Sequence, residues 1–100
     1  MKVGSVLKMI RLRLNMTQQQ VSHKAQINQE YLSMIECNKK VPSFSILVKL
    51  CDVYCIPVFA IFVLGAEDKD ISNKHLKEWV KNKKSIYDCI LKTFVFNADL

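Results

Sequence analysis

The sequence predicts an all-α fold: five short helices followed by a helical tail. Three observations carry that expectation. The 100 residues include only 2 Gly and 2 Pro, little material for hairpins or long loops. Apolar residues recur at spacings of three and four along nearly the whole chain, which is the helical period. Successive segments also open on Thr, Asn or Ser, the residues preferred at helix N-caps. With 50% hydrophobic and 24% charged residues the composition is that of an ordinary globular chain, long enough for one small domain and an appendage.

Val3, Val6, Leu7, Ile10 and Leu14 form one apolar stripe and predict a first helix over about Val3–Asn15, with Arg11 and Arg13 off its centre. Thr17 and Gln20 have the spacing of a capping box, and Met16 with Val21 that of a hydrophobic staple, so a second helix runs from about Gln18 to Ala25. Asn28 caps a third, to about Cys37, with Ile27 and Leu32 repeating the staple. Leu32 and Ile35 point inward with Tyr31 beside them, and Asn38 suits a left-handed helix ending. Lys39-Lys40-Val41-Pro42 is a basic loop. Ser43 caps a fourth helix, about Phe44–Tyr54, and Pro57 suits the first turn of a fifth, Pro57–Leu64, with Gly65 as its C-cap.

Composition divides the chain after Gly65. Residues 1–65 hold eight basic and three acidic residues, net +5, and residues 66–100 hold seven and six, net +1. The positive charge therefore belongs to the first unit and suggests a polyanionic partner. The expected domains are 1–65 and 66–100. In the second, Ala66-Glu67-Asp68-Lys69-Asp70 is a polar linker ahead of a helical pattern of one helix or two.

Several function classes fall away. The N-terminus intersperses Lys2, Lys8, Arg11 and Arg13 among apolar residues, unlike a secretory signal. The longest apolar stretch, Val53–Leu64, contains Pro57, is too short to span a bilayer, and reads as core. The cysteines at 37, 51, 55 and 89 form no C-x-x-C motif and have no paired spacing with His23 or His75. Neither a metal site nor a cofactor is expected. The cysteines are expected reduced in a cytoplasm, with Cys51 and Cys55 as small core residues. There is no Gly-rich phosphate loop, no H-E-x-x-H and no Ser/His/Asp set with context, so no enzyme is expected.

Two short helices joined by a tight turn, Gln18–Ala25 and Gln29–Cys37, match a helix-turn-helix. The run Thr17-Gln18-Gln19-Gln20-Val21-Ser22-His23-Lys24-Ala25, then Ile27-Asn28-Gln29-Glu30-Tyr31-Leu32-Ser33-Met34-Ile35-Glu36, then Val41-Pro42-Ser43, resembles the lambda-repressor-like, Xre/Cro-type DNA-binding family. The resemblance covers about residues 3–65 and leaves out the tail. One departure is Gln26, where many members carry Gly at the turn; Asn38 likewise stands where Gly is frequent.

The resemblance implies that the start of the third helix enters the major groove of double-stranded DNA while the second bridges the backbone. Gln29, Glu30, Ser33 and Met34 are then the base-contacting positions. Gln29 can pair with adenine N6 and N7. Glu30 can accept from cytosine N4, or serve as a first-turn acid on the helix dipole. Met34 can touch a thymine methyl or pack at the rim, and Ser33 permits close approach. Gln18, Lys24, Tyr31, Lys39, Lys40 and Ser43 are the expected phosphate contacts, although Lys39-Lys40 also reads as a solvated loop. Arg11 and Glu36 are implied to form a structural ion pair that orients the recognition helix. Removing one partner of such a pair costs on the order of 3 kcal/mol.

Trp79, Val80, Ile86, Tyr87, Ile90 and Phe94 give the tail an apolar stripe that meets a symmetry mate or folds back on its own unit. The first of these is favoured. The expected protein is a homodimeric regulator, a repressor in the first instance, on a symmetric operator. An antitoxin with a toxin partner, a restriction–modification controller, or an adaptor that reuses the fold without DNA are the alternatives.

Overall fold

The computed structural model describes residues 2–65, which form five helices and no strand: α1 (Val3–Arg13), α2 (Gln18–Ala25), α3 (Gln29–Glu36), α4 (Phe44–Tyr54) and α5 (Val58–Gly65). The tail positions Trp79, Val80, Ile86, Tyr87, Ile90 and Phe94 lie outside the described residues.

Local chemistry accounts for where these helices begin. Thr17 accepts from the Gln20 N–H at 3.1 Å while Gln20 Oε1 accepts from the Thr17 N–H at 2.9 Å, a complete capping box. Asn28 Oδ1 accepts from the Glu30 N–H at 2.8 Å, and Ser43 Oγ from the Ile46 N–H at 3.3 Å. Each cap satisfies a donor that the first helical turn leaves open.

The helix ends share one device. Asn15, Gln26, Asn38 and Cys55 all stand in the left-handed region, with φ of 56°, 56°, 59° and 58°. After each, the next N–H returns to a carbonyl five residues back: Met16 to Arg11, Ile27 to Ser22, Lys39 to Met34, and Ile56 to Cys51. These are Schellman endings made without glycine. Four expectations are corrected at the helix boundaries. The first helix stops at Arg13 instead of Asn15, because Asn15 is its left-handed terminator. Cys55 is not a core residue; it terminates α4 and is exposed, while Cys51 one turn earlier is buried. Gly65 is a buried helical residue of α5 and not its C-cap, and Pro57 precedes the helix.

The core is a single cluster of Val6, Leu7, Ile10, Val21, Ala25, Leu32, Ile35, Leu47, Leu50, Cys51, Tyr54, Ile56, Ile61 and Leu64. α1 lies at its centre, packed against α3, α4 and α5, while α2 packs on α3 and α4. α4 and α5 bend by 99° at the Cys55–Pro57 break. Among the described residues no single helix is long and apolar enough to cross a membrane.

Two features of the packing escape sequence inspection. Gly4 of α1 sits against the Ile35 carbonyl of α3, and a Cβ there would overlap that oxygen. Beside it, Asn38 Nδ2 donates to Ser5 Oγ at 2.8 Å. The expectation that Val53–Leu64 is all core also needs correction. Phe59 and Phe62 are exposed on α5, because only the Ala60, Ile61, Leu64 face meets the rest of the unit.

Candidate nucleic-acid interface

α3 divides cleanly between two faces. Leu32, Ile35 and Glu36 are buried against the core, with Tyr31 half-buried beside them. At 3.6 residues per turn, Gln29, Glu30, Ser33 and Met34 fall together on the opposite side. Gln29 and Glu30 are exposed, and Ser33 and Met34 half-buried. The outward face thus offers an amide, a carboxylate, a hydroxyl and a thioether. Cys37, which sequence inspection did not connect with this face, is exposed at its far end.

The polar anchor of α3 is Glu36. Its side chain is 1% exposed, and Arg11 Nε and Nη2 donate to its two oxygens at 2.8 and 2.9 Å. This is the bidentate arrangement that suits a planar guanidinium to a carboxylate. Arg11 Nη1 also donates to the Met16 carbonyl at 2.9 Å, so one guanidinium ties α1, the α1–α2 connection and the end of α3. The hydrogen bonds that Arg11 donates to Glu36 hold its guanidinium above its ordinary pKa, against the opposing effect of burial. Tyr54 approaches the same site from α4. Its hydroxyl is buried and has no hydrogen-bond partner among the described residues. Burial first, then the Glu36 charge, push its pKa well above the usual phenol value.

Gln18 joins this network. It is half-buried, and its Nε2 donates to Glu36 Oε1 at 3.0 Å. A residue expected only at phosphate is therefore fixed from behind by the end of α3. The signal was not available in the sequence, because the two residues are 18 apart and on different helices.

The basic residues flank α3. Lys24, at the end of α2, and Lys39 and Lys40, after α3, are all exposed. Lys40 Nζ stands 5.7 Å from the Tyr31 ring centroid, within cation–π range, so these two expected phosphate contacts share one location. Ser43 is exposed at the N-terminus of α4. Lys2 lines, with Asn38, Lys40 and Pro42, a small cleft of about 170 Å³ between the start of α1 and the α3–α4 loop. No local pattern in the sequence connects Lys2 with that loop.

No three His, Cys, Asp or Glu side chains converge to hold a metal ion among the described residues. Burial pushes the Cys51 thiol up to about 11, the neighbouring Asp52 charge adding to the effect. A thiol so shifted is protonated and unreactive at neutral pH.

The model of the helix-turn-helix family matches residues 7–58, from the middle of α1 to the start of α5. No curated protein and no solved structure matches the chain. The match takes in both helices of the motif, their turn, and the Arg11–Glu36 anchor. With five helices in the matching order, the chain belongs to the lambda-repressor/Xre-type helix-turn-helix family of DNA-binding transcription regulators.

Proposed function

We propose that this protein is a homodimeric transcriptional repressor that reads a symmetric operator in the cytoplasm. Residues 1–65 serve as the DNA-binding domain and residues 66–100 as a dimerisation segment. The carrying observation is the two-faced α3: its inner side is anchored in the core and through Glu36, while Gln29, Glu30, Ser33 and Met34 face outward between Lys24 and the Lys39–Lys40 loop. In this reading those four side chains touch base edges, and Gln18, Lys24, Tyr31, Lys39, Lys40 and Ser43 hold the phosphates on either side. The bond from Gln18 to Glu36 supports this reading, since it locks the backbone-contacting end of α2 to the base-reading helix. Ile86, Tyr87, Ile90 and Phe94 meet their symmetry mates, with Trp79 and Val80 nearer the DNA-binding unit. Two copies then present their α3 helices to half-sites one DNA turn apart, about 34 Å.

Selection of bound sequences from random DNA tests the reading, with a palindromic consensus expected. Lys39→Ala with Lys40→Ala should then weaken every DNA about equally and flatten the salt dependence by up to ~2 units. Ending the chain after Gly65 should leave a folded monomer that loses most operator affinity and little non-specific affinity. An unenriched selection with salt-insensitive binding would point to an adaptor instead.

A further inference from the structure

We infer that the outer face of α5 is the seat of a segment of this same chain, Leu76–Val80, which docks on Phe59 and Phe62. All eight residues of α5, Val58-Phe59-Ala60-Ile61-Phe62-Val63-Leu64-Gly65, are nonpolar. A helix that is apolar all round is normally buried all round. Here Ala60, Ile61, Leu64 and Gly65 are buried, but Phe59 is 62% and Phe62 43% exposed. The two rings are three residues apart, so they lie on one face. Nothing in residues 2–65 covers them. α1, which packs against α5, carries its own exposed pair at the same spacing, Met9 and Leu12. Two exposed aromatic rings on one helix face offer an apolar surface that a single scattered residue does not, and such a surface suits an interaction site.

The chain itself supplies an occupant. It continues from Gly65 for 35 residues; after the linker comes a single apolar residue, Ile71, and then the first group of large apolar residues at helical spacing, Leu76, Trp79 and Val80, at i, i+3 and i+4. α5 is about 12 Å long, and the ten residues 66–75 reach at most about 35 Å when extended. Phe59 and Phe62 are thus within easy reach. A short tether gives an effective concentration of order millimolar. A second copy at micromolar concentration competes poorly for the same face. The later apolar residues, Ile86 to Phe94, are left for the dimer contact proposed above. Docking of Leu76–Val80 would thereby fix the direction in which that contact leaves each DNA-binding unit. The inference concerns the free protein and stands or falls separately from DNA recognition.

Trp79 is the sole tryptophan and reports directly. In the full chain, without DNA, its emission should be blue-shifted and weakly quenched by acrylamide, and should stay so on dilution from micromolar to nanomolar. Phe59→Ser with Phe62→Ser should shift the emission to that of solvent-exposed indole and raise quenching severalfold. Leu76→Ser with Val80→Ser, which leaves the five-helix unit untouched, should do the same and decides the matter if the α5 variant fails to fold. Water-like emission from the native chain, or emission unchanged in both variants, overturns the inference. A blue shift that vanishes on dilution also overturns it, making a second copy the occupant.

Discussion

Gly4→Ala sets helix propensity directly against packing. Gly4 lies in the first turn of α1, where alanine favours the helix by up to about 1 kcal/mol. On propensity alone the substitution stabilises. The structure predicts the opposite sign. A methyl at Gly4 would overlap the Ile35 carbonyl oxygen, and would stand 2.9 Å from the Ile35 carbonyl carbon and 2.8 Å from Asn38 Oδ1. Two of these atoms are backbone, in the last turn of α3, which the buried Arg11–Glu36 pair holds in place. α1 must therefore lift away from α3 or unwind its first turn. Either motion strains the Asn38–Ser5 hydrogen bond, worth about 1 kcal/mol. Overpacking of this kind costs about 1–3 kcal/mol. With the hydrogen bond added and the propensity gain subtracted, a net loss of about 1–3 kcal/mol remains. For a domain of this size that lowers Tm by roughly 5–20 °C. Urea unfolding of the two proteins, followed by far-UV circular dichroism, measures it. A Gly4→Ala protein as stable as the parent, or more so, would refute the close approach of α1 to α3.

Three further outcomes are expected. Gln26→Gly should raise stability by up to about 1 kcal/mol, because Gln26 is exposed at φ 56°, ψ 46° and glycine removes the left-handed penalty, less its own entropy cost; a lower urea midpoint would assign the Gln26 side chain a contact of its own. Gln29→Ala should cost about 1–3 kcal/mol at the selected operator and relax preference at one base pair per half-site, leaving Tm unchanged since the side chain is exposed; a loss of Tm without loss of specificity contradicts the α3 orientation. Alkaline pH should destabilise the fold: Cys51, at about 11 when folded against 9.0 ordinarily, stays protonated in the native state while the unfolded chain ionises. That contribution is intact below about pH 9 and is lost as pH rises towards 11, by up to roughly 3 kcal/mol, with Tyr54 acting in the same direction. Flat urea midpoints from pH 7 to 11 would contradict it.

The helical period, and the starts of α2, α3 and α4, could be read from the residues alone. Those properties arise within four or five residues, so Thr17 with Gln20, Asn28 and Ser43 carry them openly. The two-helix motif and its family were legible for the same reason, as were the outward positions of α3, since burying Leu32 and Ile35 sends Gln29 and Glu30 to the other side. The helix ends were half legible. Asn38 announces a left-handed residue, whereas Gln26 and Cys55 adopt that conformation only because the following Ile27 and Ile56 are drawn back against the protein. The rest belongs to contacts between residues far apart in the chain. No local pattern distinguishes Gly4 as the point where α1 touches α3, or ties Gln18 to Glu36 across 18 positions. Nor does composition divide α5 into a buried and an exposed side, because its residues are apolar on both. Only the packing of α1 and α4 against one side decides which phenylalanines face outward.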